Sequence, residues 1–116
     1  MTIFFNGNTQ FQTTSLTVAS GQTTSNAIDC NGQGIVGVIM PSDLTSTALT
    51  YTGSQDNSTF TALYNTSGTQ LAVTCAASRI ILFTPGDLIG LQYIKLVMGT
   101  AEGADRTIQV ITRTFY

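Results

Sequence analysis

Apolar and polar residues alternate along most of the chain, which is the pattern of half-buried β-strands. The alternation is clearest at residues 15–18 and 49–52, where leucine, valine and tyrosine take turns with serine and threonine. Two longer apolar runs, at residues 34–40 and 79–83, are typical of strands buried on both faces. Turn-forming residues separate these segments about every 8–12 residues. The pattern predicts strands joined by short turns.

The predicted fold is all-β, a single antiparallel β-sandwich or jelly roll of about eight strands. The strands are expected near residues 15–18, 34–40, 49–52, 59–64, 71–75, 79–83, 93–98 and 107–115. The one candidate for a helical turn lies near residues 85–91, where Pro-Gly-Asp precedes two apolar residues. A length of 116 residues suits one domain.

The N-terminal segment, residues 1–13, differs from the sandwich domain predicted for residues 14–116. Phe4, Phe5 and Phe11 stand among asparagine and glutamine, before the regular alternation begins. One interpretation is an edge strand that covers the sandwich. The other is an arm that docks onto a neighbouring subunit, because exposed aromatic rings pack well into a groove.

Charged residues are scarce: the chain has ten, no histidine, 21 threonines and a net charge of −2. Ordinary soluble domains are about a quarter charged. A surface of hydroxyls, amides and apolar groups suits lasting contact with protein and gives little protection against self-association. We therefore expect assembly, the alternative being a monomer hydrated by its neutral polar residues. Four scattered cations form no basic patch, so no nucleic-acid partner is expected.

The residue types needed for common catalytic and metal sites are missing or apart. Without histidine, a Ser-His-acid triad is impossible, and neither cysteine has a basic neighbour to make it a nucleophile. Asp43, Asp56 and Asp87 fall in predicted turns, where the side chain bonds nearby backbone. A weak calcium loop at residues 53–58 is a lesser alternative to a polar hairpin turn. We expect no enzyme, no cofactor and no metal.

Cys30 and Cys75 do not match a metal-binding pattern. No secretory signal is visible, so two buried free thiols are preferred over a disulfide bridge. The apolar runs are too short to cross a bilayer, and no membrane partner is expected.

An ordered string of motifs runs through the middle of the chain: residues 34–41 (GIVGVIMP), then residues 54–60 (SQDNSTF), Leu63 and Gly68. This string resembles small structural proteins of tailed bacteriophages, and residues 104–113 resemble the close of the same proteins. The Ser-x-Asp-x-x-x-Phe part is also similar to the corresponding turn of discoidin-like sugar-binding sandwiches.

The phage resemblance implies a non-enzymatic virion protein, of the decoration or cement type that binds the assembled head and stabilises capsomer contacts. Its implied partners are the major capsid protein and further copies of the chain, often as a trimer. Its implied location is the exterior of the phage head, after synthesis in the host cytoplasm. The alternative is a carbohydrate-binding or tail- or fibre-associated sandwich module. Tyr51 and Tyr64 are its candidate sugar contacts, although both also fit as core or cross-strand residues.

If the chain is a decoration protein, its partner contacts are expected in three places: the N-terminal segment, the long turn after residue 53 and the loop before the last strand. The candidate residues are Phe4, Phe5, Phe11, Ser54, Gln55, Asp56, Asn57, Glu102, Asp105 and Arg106. Asp105 and Arg106 are expected to form ion pairs either locally or across a subunit boundary.

Overall fold

The computed structural model describes residues 11–84 and 86–114, and every regular element in that part of the chain is a β-strand. The strands are β1 Phe11–Val18, β2 Ile28–Asp29, β3 Gln33–Ile39, β4 Ala48–Ser54, β5 Thr61–Ala62, β6 Ala72–Thr74, β7 Ile80–Leu82, β8 Tyr93–Met98 and β9 Arg106–Thr114. The helical turn considered near residues 85–91 is not formed by the described residues there. No helix in the described part is long and apolar enough to span a membrane.

The strands form two antiparallel sheets, as the alternation predicted. Sheet A has the order β1-β9-β3-β7, and sheet B has the order β2-β8-β4, with β5 and β6 both pairing with the far side of β4. The chain changes sheet at six of its eight connections. This is the jelly-roll arrangement, in which two sheets wrap around one core. The predicted sandwich is confirmed, and the two-residue strand β2 is additional to the eight expected strands.

The inner faces of both sheets supply the core, and each follows the period of two. Fully buried side chains come from alternate positions of the longer strands: Leu16, Val18, Val38, Leu49, Ile94, Leu96, Ile108 and Val110. Cys30 and Cys75 are buried beside them as free thiols, which confirms the prediction. Burial, helped by the nearby charge of Asp29, raises the pKa of Cys30 to about 11, so its thiol is unreactive at neutral pH.

Strand β7 differs from its prediction, because the apolar run that contains it is not buried on both faces. β7 is the edge strand of sheet A, and Ile80 and Leu82 are 63% and 74% exposed. It lies very close to its one neighbour, β3, at Gly37. A Cβ atom at Gly37 would be 2.7 Å from the Ile81 carbonyl oxygen and 3.1 Å from Leu82 Cδ2. The absence of a side chain at Gly37 therefore allows the edge strand to dock.

We expect Gly37→Ala to destabilise the fold by about 1–3 kcal/mol, because the added methyl group must push β7 away from β3. Gly103→Ala is the matched control, since a Cβ there meets no atom within 4 Å. Urea unfolding followed by circular dichroism measures both changes. Equal midpoints for the two variants would show that the close approach at Gly37 does not matter.

Candidate interaction surfaces

The N-terminal candidates fall partly outside the described residues, where Phe4 and Phe5 lie. Phe11 opens β1 and is 56% exposed. It is opposite Arg113 of β9, whose guanidinium carbon is 5.4 Å from the centre of the Phe11 ring. Residues 11–13 are regular members of sheet A, because each pairs with a residue of β9. The exposed ring is available for contact, at a position fixed by the sheet.

The long turn is stabilised by its own side chains. The Ser54 hydroxyl donates to Asp56 Oδ1 (2.7 Å) and accepts from the backbone N–H groups of Asp56 and Asn57 (3.1 and 3.0 Å). Asp56 Oδ1 also accepts from the N–H groups of Thr59 and Ser58. The bonds from Thr59, Ser54 and Ser58 lower the pKa of Asp56 to about 2. The polar-turn interpretation of Asp56 is confirmed.

Gln55 ties this turn to the segment before β8. Its amide nitrogen donates to the Gly90 carbonyl (2.8 Å), and its amide oxygen accepts from the Gln92 N–H (2.9 Å). Ser54 is buried. The other three candidates in the turn, Gln55, Asp56 and Asn57, are exposed.

Glu102, expected as a partner contact, is an interior residue and its side chain is fully buried. Its carboxylate accepts from the N–H and hydroxyl of Thr45 (both 2.9 Å) and from the N–H and hydroxyl of Ser46 (2.8 and 2.6 Å). It also accepts from Arg106 Nε at 2.9 Å. Burial alone would raise the pKa of Glu102, but the bonds from Ser46, Thr45 and Arg106 outweigh it and lower the pKa to about 2.

The other two candidates in this loop also have partners within the chain. Arg106 adds a second ion pair, of 3.2 Å, with the exposed carboxylate of Asp43. Asp105 Oδ1 accepts from the Ser20 N–H at 2.8 Å. Asp105 and Arg106 thus bond to residues of other loops, and Asp105 keeps an exposed surface.

The three predicted groups do not form one continuous patch. In the pairing of β4 with β8, Ser54 is opposite Tyr93 and Leu49 is opposite Met98. The long turn and the loop after Met98 therefore lie at opposite ends of sheet B, separated by a strand about 20 Å long. Phe11 lies toward the end that carries the long turn. β3 begins at that end, and its first residue is opposite Thr114, the neighbour of the Arg113 that pairs with Phe11.

The outer face of sheet A carries the large exposed apolar residues that the sequence analysis missed. Leu82, Gly37, Ile111 and Thr13 align across the four strands, and Ile80 lies beside Ile39 in the next row. We call Ile39, Ile80, Leu82 and Ile111 the outer apolar patch. Its exposed members belong to an edge strand, and three consecutive apolar residues give no signal that separates an edge strand from a buried one.

The outer face of sheet B is more polar. Thr50 and Thr52 lie on it at the centre of the sheet, opposite Val97 and Lys95. The Lys95 ammonium is 4.3 Å from the centre of the Phe60 ring, a cation–π contact that shields that ring. The two outer faces therefore differ in chemistry, and the apolar one belongs to sheet A.

A cavity of about 130 Å³ lies on the open side of the sandwich, between β6 and β7. Leu71, Val73 and Leu88 contribute to its apolar wall, and Tyr51 packs edge-on against Phe83 with the ring centres 5.3 Å apart. Ligand pockets usually exceed about 300 Å³. This cavity is therefore the size of a side chain rather than of a sugar or a cofactor.

Of the two candidate sugar-contact tyrosines, Tyr51 is a core residue and Tyr64 is 60% exposed. Burial, with a smaller effect of the Asp87 charge, raises the pKa of Tyr51 and keeps its phenol neutral. Within residues 11–84 and 86–114, no group of three or more histidine, cysteine, aspartate or glutamate residues is placed to hold a metal.

No protein-family model matches the chain, and no curated protein sequence matches it. Among solved structures, the chain is similar to the SPBc2 prophage-derived protein YomS, with a TM-score of 0.57 and 17% sequence identity. The similarity covers 93% of this chain and 98% of that chain. At this identity the likeness shows a shared fold, extending over nearly the whole of both chains.

We expect Glu102→Gln to destabilise the fold by about 3 kcal/mol at neutral pH, because Arg106 and four donors lose a buried anion. The pKa of Glu102 in the fold is below its ordinary value of 4.5. The stabilisation is therefore complete above pH 4.5 and declines as the pH falls toward 2. Urea unfolding at several pH values should show the gap between variant and wild type narrowing with acid.

Asp105→Asn is the control for this variant, because the new side-chain oxygen still accepts from the Ser20 N–H. Its effect should stay within about 0.5 kcal/mol, as for other exposed positions. A Glu102→Gln protein as stable as the control at pH 7 would contradict the role given to the buried carboxylate.

Proposed function

We propose that this chain is a non-enzymatic structural protein of a tailed-phage virion. Within that class we propose a decoration protein, which binds the major capsid protein on the exterior of the assembled head and stabilises contacts between capsomers. It acts as a homo-oligomer, with a trimer as the expected form. The observation that carries this proposal is the outer face of sheet A, where apolar side chains are exposed on a surface almost without charge.

The outer apolar patch has the chemistry of an interface core. Ile80 and Leu82 are exposed by well over half, and covering a side chain of this kind contributes about 1.5–3 kcal/mol. Around them lie Gln109, Thr107 and Ser15, which are exposed and uncharged. The cores of protein interfaces are depleted of charge in the same way, with polar residues at the rim.

The comparison supports a phage setting for this surface. The similar chain is described as prophage-derived, and the likeness runs through nearly the full length of both proteins. Jelly rolls serve viral capsids as well as sugar-binding lectins, so the architecture alone does not assign a function. The neutral apolar face is what favours a protein partner.

A repeating shell also suits weak contacts. Several copies of one small domain, joined in an oligomer, contact the lattice together, and their combined affinity exceeds that of a single copy. A face of a few apolar residues is then sufficient for lasting attachment.

The test is co-sedimentation of the purified protein with heads and with tails, isolated separately from the phage whose genome carries its gene. We expect saturable binding to heads. Leu82→Asp should weaken that binding about tenfold or more, because a carboxylate would lose its water in the contact. Thr74→Asp places the same charge on the outer side of sheet B and should bind as the wild type does.

Binding to tails alone would favour the tail- or fibre-associated alternative, and binding to neither would contradict a virion role. Equal head binding by the two aspartate variants would move the contact away from the outer face of sheet A.

A further inference from the structure

We infer that sheet A continues from one copy of the chain into the next, with the free edge of β1 pairing antiparallel with the free edge of β7 in a neighbouring copy. The inference identifies the self-contact of the proposed oligomer, and it rests on the proposed function for its biological setting. The two edges carry the inference. Each directs unpaired backbone groups outward, the two strands run in opposite directions, and the residues concerned have their side chains on the same face of the sheet.

Among the described residues, the edge of β1 is open over most of its length. At Thr17 the N–H donates to Asn26 Oδ1 (2.8 Å) and the carbonyl accepts from the Asn26 N–H (3.3 Å), on the side away from β9. Because hydrogen-bonding sides alternate along a strand, Thr13 and Ser15 direct their backbone groups to that same side. No described residue pairs with them there.

β1 also lacks the features that usually protect an edge. It contains no charged residue and no proline, and its pairing with β9 runs without a bulge from Phe11 to Val18. Natural edge strands are commonly blunted by lysine, proline or a bulge. An edge without them is suited to receive another strand.

The edge of β7 is open as well. The Arg79 carbonyl accepts from the Met40 N–H (2.8 Å) and the Phe83 N–H donates to the Val36 carbonyl (2.9 Å), both toward β3. The backbone groups of Ile80 and Leu82 alternate with these and therefore point away from β3. β7 pairs with no other strand in the described part of the chain.

The two edges are compatible in direction and in face. All pairs in sheet A are antiparallel, so β1 and β7 run in opposite directions, as an added antiparallel strand requires. The open backbone groups belong to Thr13 and Ser15 on β1 and to Ile80 and Leu82 on β7, and all four side chains lie on the outer face. Directly opposed residues share a face of a sheet, so the pairing keeps each core on its own side.

The side chains that meet at such a junction are those left exposed in the single chain. Phe11 joins Ile80 and Leu82 on the outer face, where each is more than half exposed. On the inner face, Gln12 and Thr14 of the added strand lie on the side of the cavity between β6 and β7, which is of side-chain size. The junction thus extends the outer apolar patch from one copy to the next, and its side chains still face outward.

The occupant is a second copy because one chain carries both complementary edges. A contact between two different edges is heterologous, so each copy uses β1 toward one neighbour and β7 toward the other. When the rotation between copies closes, the product is a ring, and the proposed trimer is the smallest ring of this kind.

The test measures self-association of the free protein by sedimentation velocity, with no phage particles present. We expect the wild type to associate. Thr13→Lys and Leu82→Glu, each made alone, should weaken association about tenfold or more, because one charge is left unpaired at the edge. The antiparallel pairing places Thr13 opposite Leu82, so the double variant Thr13→Lys/Leu82→Glu should recover association, since the two charges then meet across the junction.

Thr107→Lys is the matched control, because Thr107 is exposed on the outer face of sheet A but belongs to the interior strand β9. It should associate as the wild type does, and circular dichroism should show all variants folded. Recovery on mixing Thr13→Lys with Thr13→Glu copies would mean β1–β1 pairing and overturn the inference. A wild type that stays monomeric up to its solubility limit, or single variants that associate unchanged, would overturn it too. Head binding is measured in a separate experiment. A protein that associates with itself but does not bind heads would contradict the proposed function and leave the β1–β7 pairing in place.

Discussion

One buried carboxylate holds together three connections that cross between the sheets at one end of the sandwich. Glu102 accepts five hydrogen bonds through its side chain, from Thr45, Ser46 and Arg106. Its backbone carbonyl accepts from the Gly21 N–H. Glu102 itself lies in the β8–β9 connection, Gly21 in the β1–β2 connection, Thr45 and Ser46 in the β3–β4 connection, and Arg106 begins β9. An anion in the protein interior is stable only while its oxygens stay bonded, so the three crossings are fixed relative to one another.

Charged side chains are few, and several of them are bonded to other groups of the same chain. Glu102, Arg106 and Asp43 form one linked group. Asp56 closes its own turn, and Lys95 lies over an aromatic ring. Apart from Arg113, opposite Phe11, the outer face of sheet A is neutral. Several of the charged side chains fix loops, and the outer face of sheet A is left for apolar and backbone contacts.

The sequence could predict what depends on local periodicity and local turn chemistry. Alternation located the interior strands and their core residues, and the Asp56 turn followed from short-range hydrogen bonding. The burial of Glu102 could not be predicted, because its partners at residues 45 and 46 are distant in sequence. The exposure of Leu82 and Tyr64 was equally hidden, since an apolar or alternating segment has the same pattern at the edge of a sheet as in its interior. Long-range pairing decides these features.

Asn26 limits the length of β1 that is open to another strand. Its side chain and backbone occupy the edge groups of Thr17, so the open length of β1 ends at Ser15. A strand added beside β1 cannot slide toward Thr17 without displacing this amide. The stretch left open is short, and β7 spans only three residues. Asn26 therefore limits how far a neighbouring strand can extend along β1. It also restricts which residues of the two strands lie opposite one another.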